Sequence, residues 1–99
     1  MRKIILSKRA ATKLKKLLEY LESEWSIKVK NDFIKKLDRS FNLIKEFPES
    51  TEESILKKGL RKCVISKQTT AYFQFDSDSI KIVTIFDNRM NPKKLNKEI

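Results

Sequence analysis

Histidine is missing from this 99-residue chain. Without it the usual general base near neutral pH and the commonest metal ligand are gone. That excludes a histidine-dependent hydrolase and all but excludes a zinc site; neither a metal nor a cofactor is expected. Cysteine occurs once, as Cys63, so there is no internal disulfide framework and a reducing compartment fits. One glycine and two prolines leave little material for long loops. No apolar stretch approaches the roughly 20 residues of a membrane-spanning helix, and Met1 to Leu6 is too short for a secretion signal. A cytoplasmic protein with no membrane partner is the expectation.

Positive charge is what the chain has in excess. The 23 Lys and Arg residues against 13 Asp and Glu give a net charge of +10, with a pI near 9.8. Such an excess favours an acidic partner, whether nucleic acid, an acidic protein or an anionic surface. Lysine dominates, 18 to 5 over arginine, which also fits a merely solvated lysine-rich surface. The apolar fraction of 39% marks a globular chain, and the length allows a single domain, residues 1–99, able to fold alone.

Lys3 to Leu6 reads as a short opening strand, and Ser7 stands where a helix cap belongs. Ala10, Leu14, Leu17, Leu18, Leu21 and Trp25 then recur at helical spacing, with Lys8, Arg9, Lys13, Lys15 and Lys16 on the opposite face. A second stripe runs through Val29, Phe33, Leu37, Phe41 and Ile44, and Phe47-Pro48 stops it. The short break near Ser26 predicts an antiparallel helical hairpin. Trp25 reads as an anchor of the first helix to the core. Glu49 to Lys58 reads as a loop, with Gly59 in a conformation other residues resist. Leu60 to Ser66, Ala71 to Phe75 and Ile80 to Phe86 are strand-like and form an antiparallel meander. Residues 91–99 read as a polar tail. The fold expected is α+β: strand, two-helix hairpin and three-stranded meander, with both helices on one sheet face and the other left to solvent or a partner.

The most pointed segment is Ile80 to Leu95, IKIVTIFDNRMNPKKL. A β-branched and aromatic run delivers Asp87, Asn88, Arg89 and Asn91 to its end, and Pro92 stops it. In so cationic a chain this cluster marks a candidate anion-binding mouth.

The order of elements, the opening strand before Ser7 and Ala10, the helix ending near Trp25, Phe47-Pro48, the Leu60-Arg61 start of the meander, Tyr72 and the closing IFDNRMNPKKL together resemble the RelE/ParE superfamily of bacterial type II toxin–antitoxin toxins. The matching features run from Ile4 to Leu95. The resemblance implies a growth-arresting toxin neutralised by a cognate antitoxin. The target is DNA gyrase if ParE-like, or messenger RNA on the ribosome, cleaved without a metal, if RelE-like.

RelE-like cleavage uses a basic set, since a 2′-hydroxyl must be deprotonated, phosphate charge stabilised and the leaving oxygen protonated. Arg89 matches the arginine at the strand end, and Arg61 and Lys62 are the other catalytic candidates on that reading. Lys57, Lys58, Asp87 and Asn91 are candidates for antitoxin or target binding. The further arginine expected before Tyr72 is replaced by Thr69-Thr70-Ala71, and no tyrosine follows Arg89. Those departures tilt the expectation towards ParE-like gyrase inhibition, in which the protein is not an enzyme. Bland alternatives stand beside each candidate: a surface pair of Arg89 with Asp87 or Glu98, an outward polar position for Arg61, packing for Tyr72, burial for Cys63. A non-catalytic nucleic-acid-binding module is the third reading, favoured if Tyr72, Phe73 or Phe75 were exposed on the sheet for base stacking.

Overall fold

Two serines open the two long helices. In the computed structural model, which describes residues 2–99, strand β1 (Lys3–Leu6) leads to helix α1 (Lys8–Glu24) and helix α2 (Ile27–Glu46). The Ser7 hydroxyl accepts from the Ala10 amide at 2.9 Å and donates to the Val83 carbonyl at 2.7 Å, so one side chain caps α1 and ties it to the sheet. Ser26 caps α2 in the same way, accepting from the Val29 amide at 3.0 Å. The hairpin break is therefore only Trp25 and Ser26, both of whose amides still bond the Leu21 carbonyl. Phe47 ends α2, and Pro48 begins a single 3-10 turn to Ser50.

Strands β2 (Glu52–Glu53), β3 (Arg61–Ser66), β4 (Thr69–Phe75) and β5 (Ser79–Asp87) follow, then helix α3 (Pro92–Glu98). The sheet has five strands in the order β1-β5-β4-β3-β2. The expected meander is present and antiparallel, but β1 runs parallel to β5, so the sheet is mixed. The Glu49–Lys58 segment, expected as loop, contributes the 3-10 turn and the two-residue edge strand β2. Gly59 has φ +84°, a left-handed conformation that favours glycine.

One face of the sheet carries the main core. Phe33, Leu37 and Ile44 of α2 and Ala10 of α1 pack on Cys63, Ile65, Ala71, Phe73, Ile80, Ile82 and Ile85. α1 lies shallower: Ala10 is its only fully buried residue, and Leu14, Leu17, Leu18 and Leu21 are half-covered. A bulge at Val83, where Phe73 pairs with Ile82 but Tyr72 pairs with Thr84, reverses the facing of β5. Ile82 and Ile85 consequently both face the helices, while Phe86 joins a second cluster with Leu60, Tyr72 and Leu95.

That second cluster corrects two expectations. Residues 91–99 are not a loose tail: Asn91 caps α3 by accepting from the Lys93 amide at 3.0 Å, and Leu95 is buried. The sheet face opposite the long helices is accordingly part-covered by α3 rather than left wholly open. Glu98 fastens it, its Oε1 accepting from Lys13 at 2.5 Å and from the buried Thr84 hydroxyl at 2.6 Å.

Candidate functional site

The apolar stripe of α1 is only half-covered towards its C-terminal end, where Trp25 is exposed, and a groove opens there. Leu17, Leu21, Val29, Phe33, Ile85 and Phe86 supply the apolar lining of a cleft of about 450 Å³ between the hairpin tip, the β3–β4 turn and the end of β5. Tyr20 and Trp25 stand at its margin, 46% and 68% exposed. Lys13, Gln68, Thr69, Asp87 and Arg89 supply its polar groups. Trp25 therefore does not anchor α1 to the core as expected; it closes the helix beside the groove. Periodicity assigned it to the apolar face correctly but could not say where that face ceases to be covered.

Arg89 and Asp87 form one unit. Asp87 Oδ1 accepts from the Arg89 amide at 2.9 Å and from Nε at 3.0 Å, and Oδ2 accepts from an Arg89 terminal nitrogen at 2.8 Å. These bonds hold the Asp87 carboxyl below the usual carboxylate range, the Arg89 side chain being the largest cause, and raise Arg89 in turn. Arg89 is 61% exposed and Asp87 35% exposed, so solvent screens the pair and it adds little to stability. Its effect is geometric: it fixes a guanidinium at the groove's edge. Lys13 extends the cationic edge, lying 5.5 Å from the Phe86 ring centroid while paired with Glu98. Burial alone raises the Glu98 carboxyl, yet the bonds from Lys13 and Thr84, with the charges of Lys13 and Arg9, outweigh it and leave Glu98 below its ordinary value.

The other candidates are dispersed. Arg61 shares the helix-facing side of β3 with Cys63; it donates to the Thr51 carbonyl at 2.5 Å and lies 5.7 Å from the Phe75 ring. Lys62 points to the opposite face, with Glu52 at 3.7 Å. Arg61 pairs with Phe73 and Asp87 with Thr69, so Arg61 and Asp87 lie four residues apart along β4, roughly 13 Å, and Arg89 follows beyond Asp87. Lys57 and Lys58 lie exposed on the β2–β3 loop, and Asn91 is occupied as a helix cap. The structure thus brings together Asp87 and Arg89, with Lys13, and does not bring Arg61, Lys62 and Arg89 into one site.

Tyr72 is buried, its hydroxyl pushed up first by that burial and then by the Glu52 carboxylate. Cys63 is buried as expected; burial raises its thiol to about 11, against the lowering effect of a hydrogen bond with Ser40. Phe73 is fully buried, and Phe75 is flanked by the Arg2 and Arg61 guanidinium groups at 5.4 and 5.7 Å. The sheet therefore presents no aromatic row for base stacking, which removes the feature that would have favoured a nucleic-acid-binding module. Among the described residues, no cluster of three or more acidic or cysteine side chains could hold a metal ion, and no helix is long and apolar enough to cross a membrane.

Tyr20 was not singled out from the sequence, and Leu17, Leu21, Val29 and Phe33 were read there as apolar stripes rather than as the lining of a groove. One signal was available: Tyr20 is an aromatic lying off the Ala10–Leu14–Leu17–Leu21 stripe, towards the lysine face.

Comparison with known proteins follows the same lines. A family model described as ParE toxin of type II toxin-antitoxin system, parDE, matches residues 4–92. A solved chain described as the chromosomal ParDE TA system from P. aeruginosa superposes with a TM-score of 0.71 at 13% identity, covering 88% of this chain and 96% of that one. At that identity the likeness shows the fold. No curated protein matches the chain in sequence.

Proposed function

Since this chain belongs to the ParE toxin family of type II toxin–antitoxin systems, we propose that it arrests growth in the cytoplasm by ParE-like inhibition of DNA gyrase and that its cognate antitoxin is held in the groove at the hairpin tip. Membership of such a system entails an antitoxin partner. The finer statements, which target and which surface, rest on the arrangement of the side chains.

The observation that carries the reading is the dispersal of the basic residues. A metal-free nuclease needs its cations and proton donors around one phosphate. Here Arg61 is committed to the Thr51 carbonyl on the helix side, Arg89 is clasped by Asp87, and Tyr72 is buried. A protein built this way acts by binding. RelE-like cleavage, the alternative, gains no support from any of these positions.

The groove suits an acidic amphipathic helix. Its floor is apolar, its aromatic margin is exposed, and Lys13 and Arg89 border it. An apolar helix face would cover Leu17, Leu21 and Val29, and covering Trp25 alone is worth roughly 2–4 kcal/mol. Carboxylates on the same helix would meet a chain of net charge +10, which raises the association rate.

The test is induced expression in cells lacking the antitoxin, with and without co-expression of the cognate antitoxin, to be sought as a short acidic protein encoded beside the gene. Growth stops with the toxin alone and resumes with the pair. Trp25→Asp remains toxic but escapes rescue. A folded, abundant wild-type protein that leaves growth untouched refutes the toxic action, and a Trp25→Asp variant that is fully rescued refutes the groove assignment.

A further inference from the structure

The loop between β2 and β3, Ser54 to Leu60, is ordered by its own bonds yet holds an apolar side chain wholly in solvent. Its base is tied by the Ser54 amide donating to the Leu60 carbonyl at 2.6 Å and by the Leu60 amide donating to the Lys57 carbonyl at 3.2 Å. The Ser54 hydroxyl accepts from the Leu56 amide at 3.2 Å, and Glu53 Oε1 accepts from the Gly59 amide at 2.8 Å. Gly59, at φ +84°, turns the chain back, and Leu60 is fully buried beneath. On this scaffold Ile55 is 99% exposed and Leu56 40% exposed. A connector has no need of two adjacent apolar residues at its tip, and a tied loop does not withdraw them.

The charges around the tip are sorted. Lys57 and Lys58 are exposed, and neither has an ion-pair partner among the described residues. The acids nearest in sequence are turned to other uses: Glu53 holds Gly59 and Glu52 faces Lys62 at 3.7 Å. The loop also lies away from the groove. β2 and its loop adjoin the Arg61–Phe73 end of the sheet, whereas the groove lies at the Thr69–Asp87 end.

We propose that the Ser54–Leu60 loop is a second interaction surface, by which the toxin engages its protein target through an apolar socket bordered by carboxylates. Ile55 and Leu56 fill the socket, and Lys57 and Lys58 meet its acidic border. A protein fits this tip better than a nucleic acid does. Exposed Glu49, Glu52 and Glu53 precede Ile55 and would repel a phosphate backbone on that side, while a protein socket needs cations only where the lysines lie. The inference rests on the toxin reading above and adds that antitoxin and target use separate surfaces.

The experiment compares wild type, Ile55→Asp, the milder Ile55→Ser and the Lys57→Glu/Lys58→Glu double variant. Thermal melting, affinity for the purified antitoxin, binding of a labelled DNA duplex and growth arrest are measured for each. Ile55 buries nothing, so melting is unchanged; antitoxin affinity stays within about twofold, while the inducer needed for arrest rises at least about tenfold, in line with loss of a central interface residue. Full toxicity in all variants overturns the proposal, as does a fall in antitoxin affinity that matches the loss of arrest. Loss of arrest in step with loss of duplex binding overturns it in favour of a nucleic-acid contact. A wild type that does not arrest growth overturns the toxin reading and this proposal with it, a result distinct from failure of the variants alone.

Discussion

Replacing Glu98 separates two contributions that hold α3 on the sheet. Its carboxylate accepts from Lys13, whose side chain is 30% exposed, and Glu98 itself is 19% exposed. This pair lies between a surface ion pair, worth about 0–1 kcal/mol, and a buried one, whose breakage costs about 3–5 kcal/mol. Glu98→Gln keeps an oxygen for the Thr84 hydroxyl and removes only the charge, so a loss of about 1 kcal/mol is expected from these bounds. Glu98→Ala also strands the hydroxyl of Thr84, a residue with 0% exposure. An unsatisfied buried hydroxyl adds roughly 1–3 kcal/mol, giving about 2–4 kcal/mol in all.

That loss has a ceiling, because α3 is short and can lift away instead of straining the sheet. Urea unfolding at pH 7 measures the global effect, and hydrogen exchange of the Leu95 and Asn96 amides reports local detachment. The expected order is wild type, then Gln, then Ala, with exchange in α3 accelerating in the same order. Acid gives a matching signal. The Glu98 carboxyl is held below its ordinary value of 4.5, so its stabilisation is complete above that pH and is lost as pH falls through the depressed folded value. The wild type should therefore lose stability below about pH 4.5 more steeply than Glu98→Gln. Equal stability of all three proteins, within about 0.3 kcal/mol and with unchanged exchange, would refute this reasoning.

Leu95→Ala removes the apolar anchor of α3 and should cost about 2–4 kcal/mol by urea unfolding; a smaller loss with rapid exchange in α3 would mean that the helix detaches. Arg61→Ala frees the Thr51 carbonyl and uncovers Phe75, so a loss of about 1–2 kcal/mol is expected; abolished toxicity at unchanged melting temperature would instead restore Arg61 to a direct role. Trp25→Ala should leave stability within about 0.5 kcal/mol while weakening antitoxin binding at least about tenfold, as measured by calorimetry. The Cys63 thiol, pushed up to about 11 and buried, should resist iodoacetamide at pH 8 in the native protein and react on unfolding.

What the sequence disclosed was governed by short-range chemistry. Ser7, read as a cap, holds α1 through an amide three residues on, the break read near Ser26 falls where Ser26 caps α2, and Phe47-Pro48 stops α2 by a restriction on adjacent residues. Such features need no knowledge of the rest of the chain. The parallel pairing of Lys3 with Ser79 joins distant segments, and a four-residue strand carries no mark of its direction. The bulge at Val83 was equally hidden, since strict alternation assigns Thr84 and Phe86 to the face of Ile82, and one extra residue reverses them. α3 escaped notice because its apolar contacts reduce to Leu95 and Ile99, and its fastening depends on Lys13 and Thr84.

The candidate site was legible in part. Asp87 and Arg89 were singled out at the end of β5 and lie at the groove. Arg61 was weighed as an outward polar residue, but its long side chain follows the helix side to the sheet margin and reaches backbone carbonyls there. The groove itself is lined jointly by α1, α2, the β3–β4 turn and the end of β5, a relation between elements that no single segment contains.

The most direct test of the central claim sets the purified protein against purified DNA gyrase and relaxed plasmid, with messenger RNA on translating ribosomes as the parallel substrate. Action by binding predicts dose-dependent loss of supercoiling, relieved by the antitoxin, and intact messages. Normal supercoiling together with cleavage inside translated codons would contradict it and require Arg89, Lys62 and Arg61 to be reconsidered as a catalytic set.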